Sequence, residues 1–491
     1  MSRSALRKAF TIGFLLATLA LAAPTAPDAL AAQREVGPGQ TYTTIQACVN
    51  AASAGDICNV HEATYTEAVT ISKDITVQAN AGDTPTIDVT GPNLLTGVSI
   101  SANGATLDGL EVIGFGSRTG GRAGVLVSNN VTGVSILNVK AHDGYGNAFR
   151  ANGGNSQLLI QNCEAYNTFP GSGAGVAADG MEILFATSSD STFANGEIVQ
   201  NCLIHNNQED GIKASGSYIT FKGNHIYDNI IGFLSANHPD GIQMLGNGQW
   251  DHLRITNNII TNHSQNIFLE CNTDQPCEDI EIYGNVIYNS AGVVDGVDMD
   301  QAPGFQGLFV PGGVACKDVK VYNNTFGRHS GAAVLWFDGC STGVSEFKNN
   351  IIHNTFGNGM AAGTVIGCPS WGSGEMDYNQ WYLPTPPLFM IGCSANGFYK
   401  TLAQFQAATT GLERHGSAST PSFVNEGSGN FRLASENFGS IKAPGLPLPA
   451  PYNRDPAGNT RGADGVWDRG AFEFVVPSRP NPPQNLRSVV Q

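Results

Sequence analysis

Three Asp-Gly pairs at regular spacing are the clearest sign of chemistry in this chain. They begin at Asp179, Asp210 and Asp240, which are 31 and 30 residues apart. Each pair opens a short apolar strand, so the spacing predicts three consecutive coils stacked in register. An Asp-Gly pair is also an ordinary turn dipeptide, whose carboxylate can simply accept turn amides. Three pairs in register favour a functional face over three independent turns.

The residue three positions after each Asp is polar. These residues are Glu182, Lys213 and Gln243, and strand alternation turns all three outward into one column. A lysine with a lowered pKa can remove the proton next to a uronate carboxylate, as β-elimination requires. Lys213 is therefore the candidate base. The alternative is a solvated Lys213 that pairs with Glu182 on the next coil.

Carboxylates on neighbouring coils have the spacing that a shared cation needs. Adjacent parallel strands lie about 4.8 Å apart, and Ca²⁺ binds carboxylate oxygens at about 2.4 Å. The predicted calcium ligands are Asp179, Glu209, Asp210 and Asp240. Without a cation, such carboxylates repel one another and raise one another's pKa. The predicted catalytic residues are Lys213, Asp210, Asp240, Glu182 and His238.

Four further residues are candidates for substrate binding. Arg150 is expected one coil before Glu182, where a guanidinium could bind a substrate carboxylate. Gln243 follows Lys213 in the column, and Phe268 and Glu270 are expected one coil later, where an aromatic ring could stack on a sugar. The alternatives are a surface arginine and a phenylalanine packed under a loop.

A repeated asparagine indicates the element that positions these residues. It recurs beside apolar strands, often within an N-x-I-x-N unit, at irregular spacings that suit loops of varying length around a constant coil. Such a repeat is typical of a solenoid, in which each coil buries its apolar face only by stacking on its neighbours. The ladder residues are Asn138, Asn162, Asn201, Asn224, Asn258, Asn285, Asn324 and Asn350. The predicted fold class is an all-β, right-handed parallel β-helix.

Composition and the N-terminus indicate an exported acidic protein. The chain has 491 residues and a formal net charge of −16, which argues against nucleic acid and anionic membranes as partners. Residues 1–31 have a basic start, an apolar run and a small-residue cleavage site, as a secretory signal does. We expect a secreted protein, extracellular or periplasmic, that is a monomer.

Ten cysteines fit an oxidising compartment. They fall into close pairs, which suggests disulfides, although sequence alone does not fix the pairing. No C-x-x-C pair is present, which argues against zinc. The suggested pairs are Cys48/Cys58, Cys163/Cys202, Cys271/Cys277, Cys316/Cys340 and Cys368/Cys393.

The predicted organisation has a cap at each end of the solenoid. Residues 32–69 form the N-terminal cap, with a short amphipathic helix between Thr44 and Ala54. The β-helix is expected over 70–420 and a closing C-terminal cap over 421–475, followed by a Pro-rich tail over 476–491.

These patterns together carry a resemblance to a known superfamily. The stretch TIQACVNAASAGD…VHEATYTE, the I-x-x-N-x-I units and the terminal D-x-x-G-N-x-R…DRGAFEF resemble secreted right-handed parallel β-helix proteins of the pectate-lyase-like superfamily. The resemblance covers roughly residues 41–475. The resemblance implies the fold but does not fix the reaction, because members of the superfamily include lyases, glycoside hydrolases, epimerases, esterases and noncatalytic adhesins.

The similarity to calcium-dependent lyases of this superfamily concerns only the positions of the candidate site residues along the coils. That similarity implies a carboxylate cluster on one strand face with Lys213 as base. The Trp-Ile-Asp-His and Arg-His-Arg motifs of classical pectate lyases are absent, as are the Asn-Thr-Asp and Arg-Ile-Lys motifs of polygalacturonases. The first hypothesis is a Ca²⁺-dependent lyase of an acidic polysaccharide. The alternatives are a glycoside hydrolase using two of the carboxylates, a glycan-binding adhesin and an epimerase.

Overall fold

The computed structural model describes most of the chain between residues 31 and 475. The described residues are 31–91, 95–120, 122–170, 178–186, 191–235, 238–245, 251–270, 277–300, 305–310, 316–336, 345–353, 363–366, 375–382, 389–390, 401–409, 411–434 and 444–475. The predicted signal peptide therefore lies outside the described residues apart from residue 31, and the predicted tail lies wholly outside them. No helix in the described part is long and apolar enough to cross a membrane.

The chain coils so that each turn adds one strand to each of three parallel sheets, which we call sheets A, B and C in the order the chain visits them. Two long strands bend from one sheet into the next: Lys140–Ala151 joins sheets B and C, and Ile212–Lys222 joins sheets C and A. This arrangement is a parallel β-helix, as the sequence predicts.

The strand bounds follow the coils. Sheet A also contains Gln33–Val36, Ile57–Val60, Thr76–Ala79, Thr106–Asp108, Ser135–Leu137, Leu159–Gln161, Glu197–Gln200, Asp251–Thr256, Cys277–Tyr283, Cys316–Tyr322, Glu346–Lys348 and Glu375–Asp377. Sheet B contains Thr64–Tyr65, Thr86–Asp88, Glu111–Ile113, Glu164–Phe169, Leu203–His205, His225–Tyr227, Ile259–Thr261, Val286–Tyr288, Thr325–Gly327, Ile351–His353 and Gln380–Tyr382. Sheet C contains Val69–Ile71, Val98–Ile100, Arg122–Val127, Met181–Ala186, Asp240–Met244, Gln265–Leu269, Gln306–Val310, Ala332–Trp336, Gly363–Ile366 and Phe389–Met390.

The core is a set of apolar columns inside the coil. In sheet C, Phe149, Met181, Ile212, Ile242 and Ile267 stand in register on consecutive coils, and all five are buried. Burying one such side chain contributes about 1.5–3 kcal/mol. Because side chains alternate along a strand, fixing these residues inward fixes their neighbours outward.

A buried asparagine ladder fills the turn between sheets A and B. Asn258 donates its amide nitrogen Nδ2 to Asn285 Oδ1 at 3.0 Å and to the carbonyl of Phe221 at 3.0 Å. The same contacts repeat on the neighbouring coils until Asn379, whose Nδ2 donates to the Glu413 carboxylate at 2.6 Å. We call this the Asn ladder; its members are Asn224, Asn258, Asn285, Asn324, Asn350 and Asn379.

Three predicted ladder residues occupy a different position. Asn138, Asn162 and Asn201 have φ values of 54°, 55° and 55° and lie one residue before the ladder. Asparagine tolerates this left-handed conformation well, so the turn uses it there too. The prediction was wrong by one residue at these coils, where the ladder position is held by Val139, Cys163 and Cys202.

The cysteine predictions have mixed outcomes. The disulfide Cys48–Cys58 is confirmed, with its α-carbons 6.0 Å apart. The Cys163–Cys202 disulfide is wrong, because both are free, buried thiols. They do lie on adjacent coils, as expected, and the Cys163 amide donates to Cys202 Sγ at 3.4 Å, so the sulfur replaces an asparagine oxygen. Each remaining suggested pair includes a residue outside the described ranges.

The first coil begins with a helix, as predicted. The α-helix Ile45–Ala51 starts at Thr44, whose hydroxyl accepts the Ala47 amide, and its Ile45 and Val49 side chains are buried. The parallel ladders start earlier than the predicted boundary at residue 70, because Gln33–Val36 already pairs with Ile57–Val60. The N-terminal segment is therefore part of the β-helix.

Residues 444–475 of the predicted C-terminal cap lie along the coils, whereas the helix before them packs Leu402 and Phe405 against the core. A second α-helix, Leu402–Ala408, precedes the antiparallel pair Phe423–Asn425 and Asn430–Leu433. Residues 444–475, which we call the C-terminal strap, then bond three consecutive coils. Gly470 donates to the Asn349 carbonyl at 2.7 Å and Arg469 to the Asn379 carbonyl at 2.9 Å. Ala471 donates to Thr325 Oγ1 at 2.9 Å.

Candidate active site on the outer face of sheet C

The polar residues predicted to share one face do so. Arg150, Glu182, Lys213, Gln243 and Phe268 are direct partners on five consecutive coils of sheet C. We call these five residues the outer column. Neighbouring members are separated by one strand spacing, about 4.8 Å. The predicted register is confirmed, while the roles of these residues remain predictions.

The three Asp residues form a ladder of their own beside the outer column. The amide of Asp210 donates to Asp179 Oδ1 at 3.1 Å, and the amide of Asp240 donates to Asp210 Oδ1 at 2.8 Å. Gln265 continues the series by donating its amide to Asp240 Oδ1 at 3.2 Å. We call Asp179, Asp210 and Asp240 the Asp ladder. One oxygen of each carboxylate is thus used to join coils, as the turn interpretation expects.

The second carboxylate oxygens have unequal partners. Asp210 Oδ2 lies 3.1 Å from the Lys213 ammonium, and Asp240 Oδ2 lies 3.3 Å from His238 Nδ1. Asp179 Oδ2 is buried and has no hydrogen-bond partner. The predicted Lys213–Glu182 pair is replaced by Lys213–Asp210. Glu182 instead forms an ion pair with Arg150, whose Nη1 lies 3.1 Å from Glu182 Oε2.

Burial raises the pKa values of three carboxyl groups at this face, those of Asp179, Asp240 and Glu209. For Asp179, burial raises the pKa well above its usual range, opposed by Lys213 and reinforced by Asp210. For Asp240, burial raises the pKa to about 7, although the His238 hydrogen bond acts in the opposite direction. Burial also raises the pKa of Glu209. These carboxyls can therefore hold protons at pH values where an ordinary carboxyl is ionised.

The two basic groups keep their protons. Burial would lower the pKa of Lys213, but the charges of Asp179 and Asp210 outweigh it and raise the pKa. The predicted lysine base with a lowered pKa is therefore wrong: Lys213 is an ammonium ion held by carboxylates. The hydrogen bond to Asp240 raises the pKa of His238 to about 9.

An aromatic surface continues the outer column. The rings of Phe268 and Phe309 are stacked with centroids 5.0 Å apart, and His238 meets Phe268 edge-on at 5.9 Å. Phe309 is the next register partner of Phe268. Glu270 lies two residues after Phe268, just beyond the end of the strand Gln265–Leu269.

Two residues of the site, Asn147 and Phe309, are not among those predicted from the sequence. Asn147 donates Nδ2 to Glu182 Oε2 at 2.7 Å, and its Oδ1 accepts the Asp179 amide at 3.1 Å, so it begins the Asp ladder. Phe309 extends the aromatic surface. Asn147 precedes Arg150 by three residues, the same offset that separates Asp179 from Glu182. The same three-residue offset, counted back from Arg150, leads to Asn147.

The predicted calcium ligands do not suit Ca²⁺ as they are arranged. Ca²⁺ takes six to eight oxygen ligands. Asp179, Asp210 and Asp240 each commit Oδ1 to an amide, and the Lys213 ammonium contacts the second oxygen of Asp210. Within the described ranges, no group of three or more His, Cys, Asp or Glu side chains is placed to hold a metal ion.

Comparison with known families agrees with the coiled fold. A family model described as "Pel9A-like, right handed beta helix region" matches residues 26–266, and a second, "Right handed beta helix region", matches residues 199–365. Together with the parallel sheets, these matches define a right-handed parallel β-helix protein. The two matches support a pectate-lyase-like β-helix protein.

Solved structures share this fold at low sequence identity. Pectate lyase Pel9A matches with 16% identity and a TM-score of 0.52, over 90% of this chain and 97% of that one. The complex of XylC with xylose matches with 11% identity and a TM-score of 0.53, over 90% of this chain and 98% of that one. At such identities the similarity concerns the fold alone. No curated protein sequence matches this chain.

Proposed function

We propose that this protein is a secreted, monomeric carbohydrate-active enzyme that cleaves a uronate-containing polysaccharide by β-elimination on the outer face of sheet C. One observation carries the proposal. The outer column places the cations Arg150 and Lys213 on either side of the Glu182 carboxylate, with His238 near the next coil. Cations suit an anionic polymer, and they stabilise the charge that develops when a proton leaves the carbon next to a carboxylate.

The residues divide the reaction among them. Arg150 and Lys213 bind the substrate carboxylate, which makes the neighbouring ring C5 proton more acidic. Glu182 takes that proton, because it is the carboxylate between the two cations. The electron pair forms the C4–C5 double bond, the bond from C4 to the glycosidic oxygen breaks, and His238 donates a proton to that oxygen.

Substrate binding also explains how Glu182 becomes available as the base. In the structure its Oε2 accepts a hydrogen bond from Asn147 Nδ2 at 2.7 Å and forms an ion pair with Arg150 Nη1, 3.1 Å away. The Arg150 side chain is 40% exposed and can turn toward an incoming carboxylate. Glu182 then loses this ion pair, so that its Oε2 is free to contact the C5 proton of the substrate. Gln243, Phe268 and Phe309 extend the binding surface for neighbouring sugars.

A glycoside hydrolase is the second candidate, and Asp240 favours it. A general acid must hold its proton near neutral pH, and burial raises the pKa of Asp240 to about 7. Asp240 is fully buried, however, so a glycosidic oxygen cannot contact it without a change in the surrounding side chains. This difference ranks β-elimination first.

The test is a product assay on a panel of polyuronates and neutral glycans. The lyase predicts ultraviolet absorbance from unsaturated uronate ends, and Glu182→Gln should lower the rate about 10²–10⁴-fold through loss of the base. Lys222→Gln is the matched control, because Lys222 is exposed at the far end of the Lys213 strand. We expect it to leave the rate unchanged.

Other products would redirect the proposal. New reducing ends without absorbance would support the hydrolase, and inverted uronates without cleavage would support an epimerase. Binding without turnover on any polymer would support an adhesin. An unchanged rate in Glu182→Gln would remove Glu182 from the mechanism.

A further inference from the structure

The surroundings of the Lys213 ammonium resemble those of a bound cation. Its Nζ lies 3.1 Å from Asp210 Oδ2, and Glu182 is its register partner on the preceding coil. Asp179 is bonded to the Asp210 amide at 3.1 Å, and Glu209 directly precedes Asp210. One tethered positive charge therefore stands among four carboxyl groups.

Two further oxygens beside this charge have no partner. Asp179 is fully buried, and its Oδ2 makes no hydrogen bond. Gln243, the register partner of Lys213 on the following coil, has a buried Oε1 that also lacks a partner. Carboxylate and amide oxygens are the ligands that Ca²⁺ prefers. The position thus has the donors of a cation site, but a lysine fills it.

We infer that Lys213 takes the place of a divalent cation in this face, so that the protein engages acidic glycans without Ca²⁺. An ammonium on its own side chain neutralises part of the carboxylate charge and needs no ion from solution. Its single charge leaves the cluster acidic, and removing it leaves oxygens that attract a dication more strongly. The inference uses the face of the proposed function, but its test needs no substrate.

The test is a titration of the purified protein with Ca²⁺ alone, by calorimetry and by luminescence of Tb³⁺ as a calcium substitute. The wild-type protein should show no saturable binding at this face. Lys213→Gln should gain a saturable site, at least about tenfold tighter than any site in the wild type. Lys213→Arg, which keeps the charge, and Lys222→Gln, which changes a distant charge, should gain none.

Two results would overturn the inference: equal Ca²⁺ binding by wild type and Lys213→Gln, or no binding by either protein. If Lys213→Gln folds poorly, its refolding yield gives the same contrast, because a site gained by the folded state must raise that yield when Ca²⁺ is present. An inactive protein that gains the site would refute the proposed function and leave this inference standing. Cleavage that EDTA abolishes would do the reverse.

Discussion

The Asn ladder and the Asp ladder join coils by the same contact, yet they leave different groups behind. In both, a side-chain oxygen accepts the amide of a residue on a neighbouring coil, as Asn285 Oδ1 does from Asn258 at 2.9 Å and Asp210 Oδ1 does from Asp240 at 2.8 Å. The asparagine also has an Nδ2 donor, which bonds the coils on both sides. The aspartate has a second acceptor and a charge instead.

This difference indicates that the Asn ladder is structural, whereas the Asp ladder has charged groups that can take part in chemistry. A buried asparagine ladder is fully hydrogen-bonded and neutral, so it stabilises coils without further help. A buried aspartate ladder requires a proton or a cation nearby, and Lys213 and His238 supply the cations. Carboxylates at a position where an amide would serve therefore indicate that their charge has a use.

The largest expected effect comes from moving a carboxylate into the Asn ladder. Asn285→Asp puts a charge in a fully buried turn whose neighbours are Asn258 and Asn324, not cations. We expect a loss of about 3–5 kcal/mol in the free energy of unfolding at neutral pH, as for other unpaired buried charges. The loss should shrink in acid, where the new carboxyl is protonated. Denaturant titrations at two pH values measure both.

Asn130→Asp is the control for that experiment, because Asn130 is exposed and adopts a left-handed conformation that aspartate also tolerates. It should change stability by less than about 0.5 kcal/mol. Similar losses in both variants would mean that the buried ladder is no more sensitive to a new charge than an exposed turn is. That result would contradict the difference between the two ladders.

An effect of intermediate size on stability is expected at a buried carboxyl group that belongs to neither ladder and has no cation as a partner. Glu197 is buried in the strand Glu197–Gln200, both its carboxyl oxygens lack partners, and burial raises its pKa well above the usual range. The folded state then holds a proton that the unfolded state releases above about 4.5, so stability falls as pH rises. Glu197→Met should add about 1–3 kcal/mol at neutral pH.

Glu197→Gln separates charge from polarity in the same position. It should abolish the pH dependence contributed by Glu197 while recovering less stability than methionine, because its amide still lacks partners. Thermal melts across a pH series measure both changes. A wild-type stability that rises through this range, together with an unchanged slope in Glu197→Gln, would contradict the assignment.

The smallest effect is expected from Asp179→Asn, which makes one step of the Asp ladder resemble the Asn ladder. Asparagine keeps the oxygen that accepts the Asp210 amide and removes the unpartnered, buried Oδ2. Burial raises the pKa of Asp179, so its ionisation costs stability as pH rises, and the variant should flatten that slope. Stability should change by less than about 1 kcal/mol. A larger loss would show that the charge itself holds the coils together.

The fold and the outer column were predictable because both follow from strand alternation. Once Met181, Ile212 and Ile242 are assigned inward, the residue after each must stand outward in one column. The spacing of the Asp-Gly pairs then fixes which coils are neighbours. The Asn positions were harder, because asparagine suits both the left-handed residue and the buried residue that follows it.

The partners within the site could not be predicted from spacing. Whether Lys213 contacts Glu182 on the preceding coil or Asp210 just before its own strand depends on side-chain direction and on burial. The pKa of Lys213 has the same origin, because burial and nearby carboxylates act on it in opposite directions. The strap was missed because its contacts join residues far apart in sequence, such as Asn323 and Asp468.

The strap changes how this solenoid should come apart. Coils that touch only their neighbours can open one at a time from an end, as in other repeat proteins. Here Arg469, Gly470 and Ala471 bond three coils at once, and Tyr452 donates to Glu281 on an earlier coil. Those coils can open only if the C-terminal strap, whose contacts close a very long loop of the chain, detaches as well. The C-terminal half should therefore melt as a single cooperative block, completed only after the last residues of the strap have been synthesised.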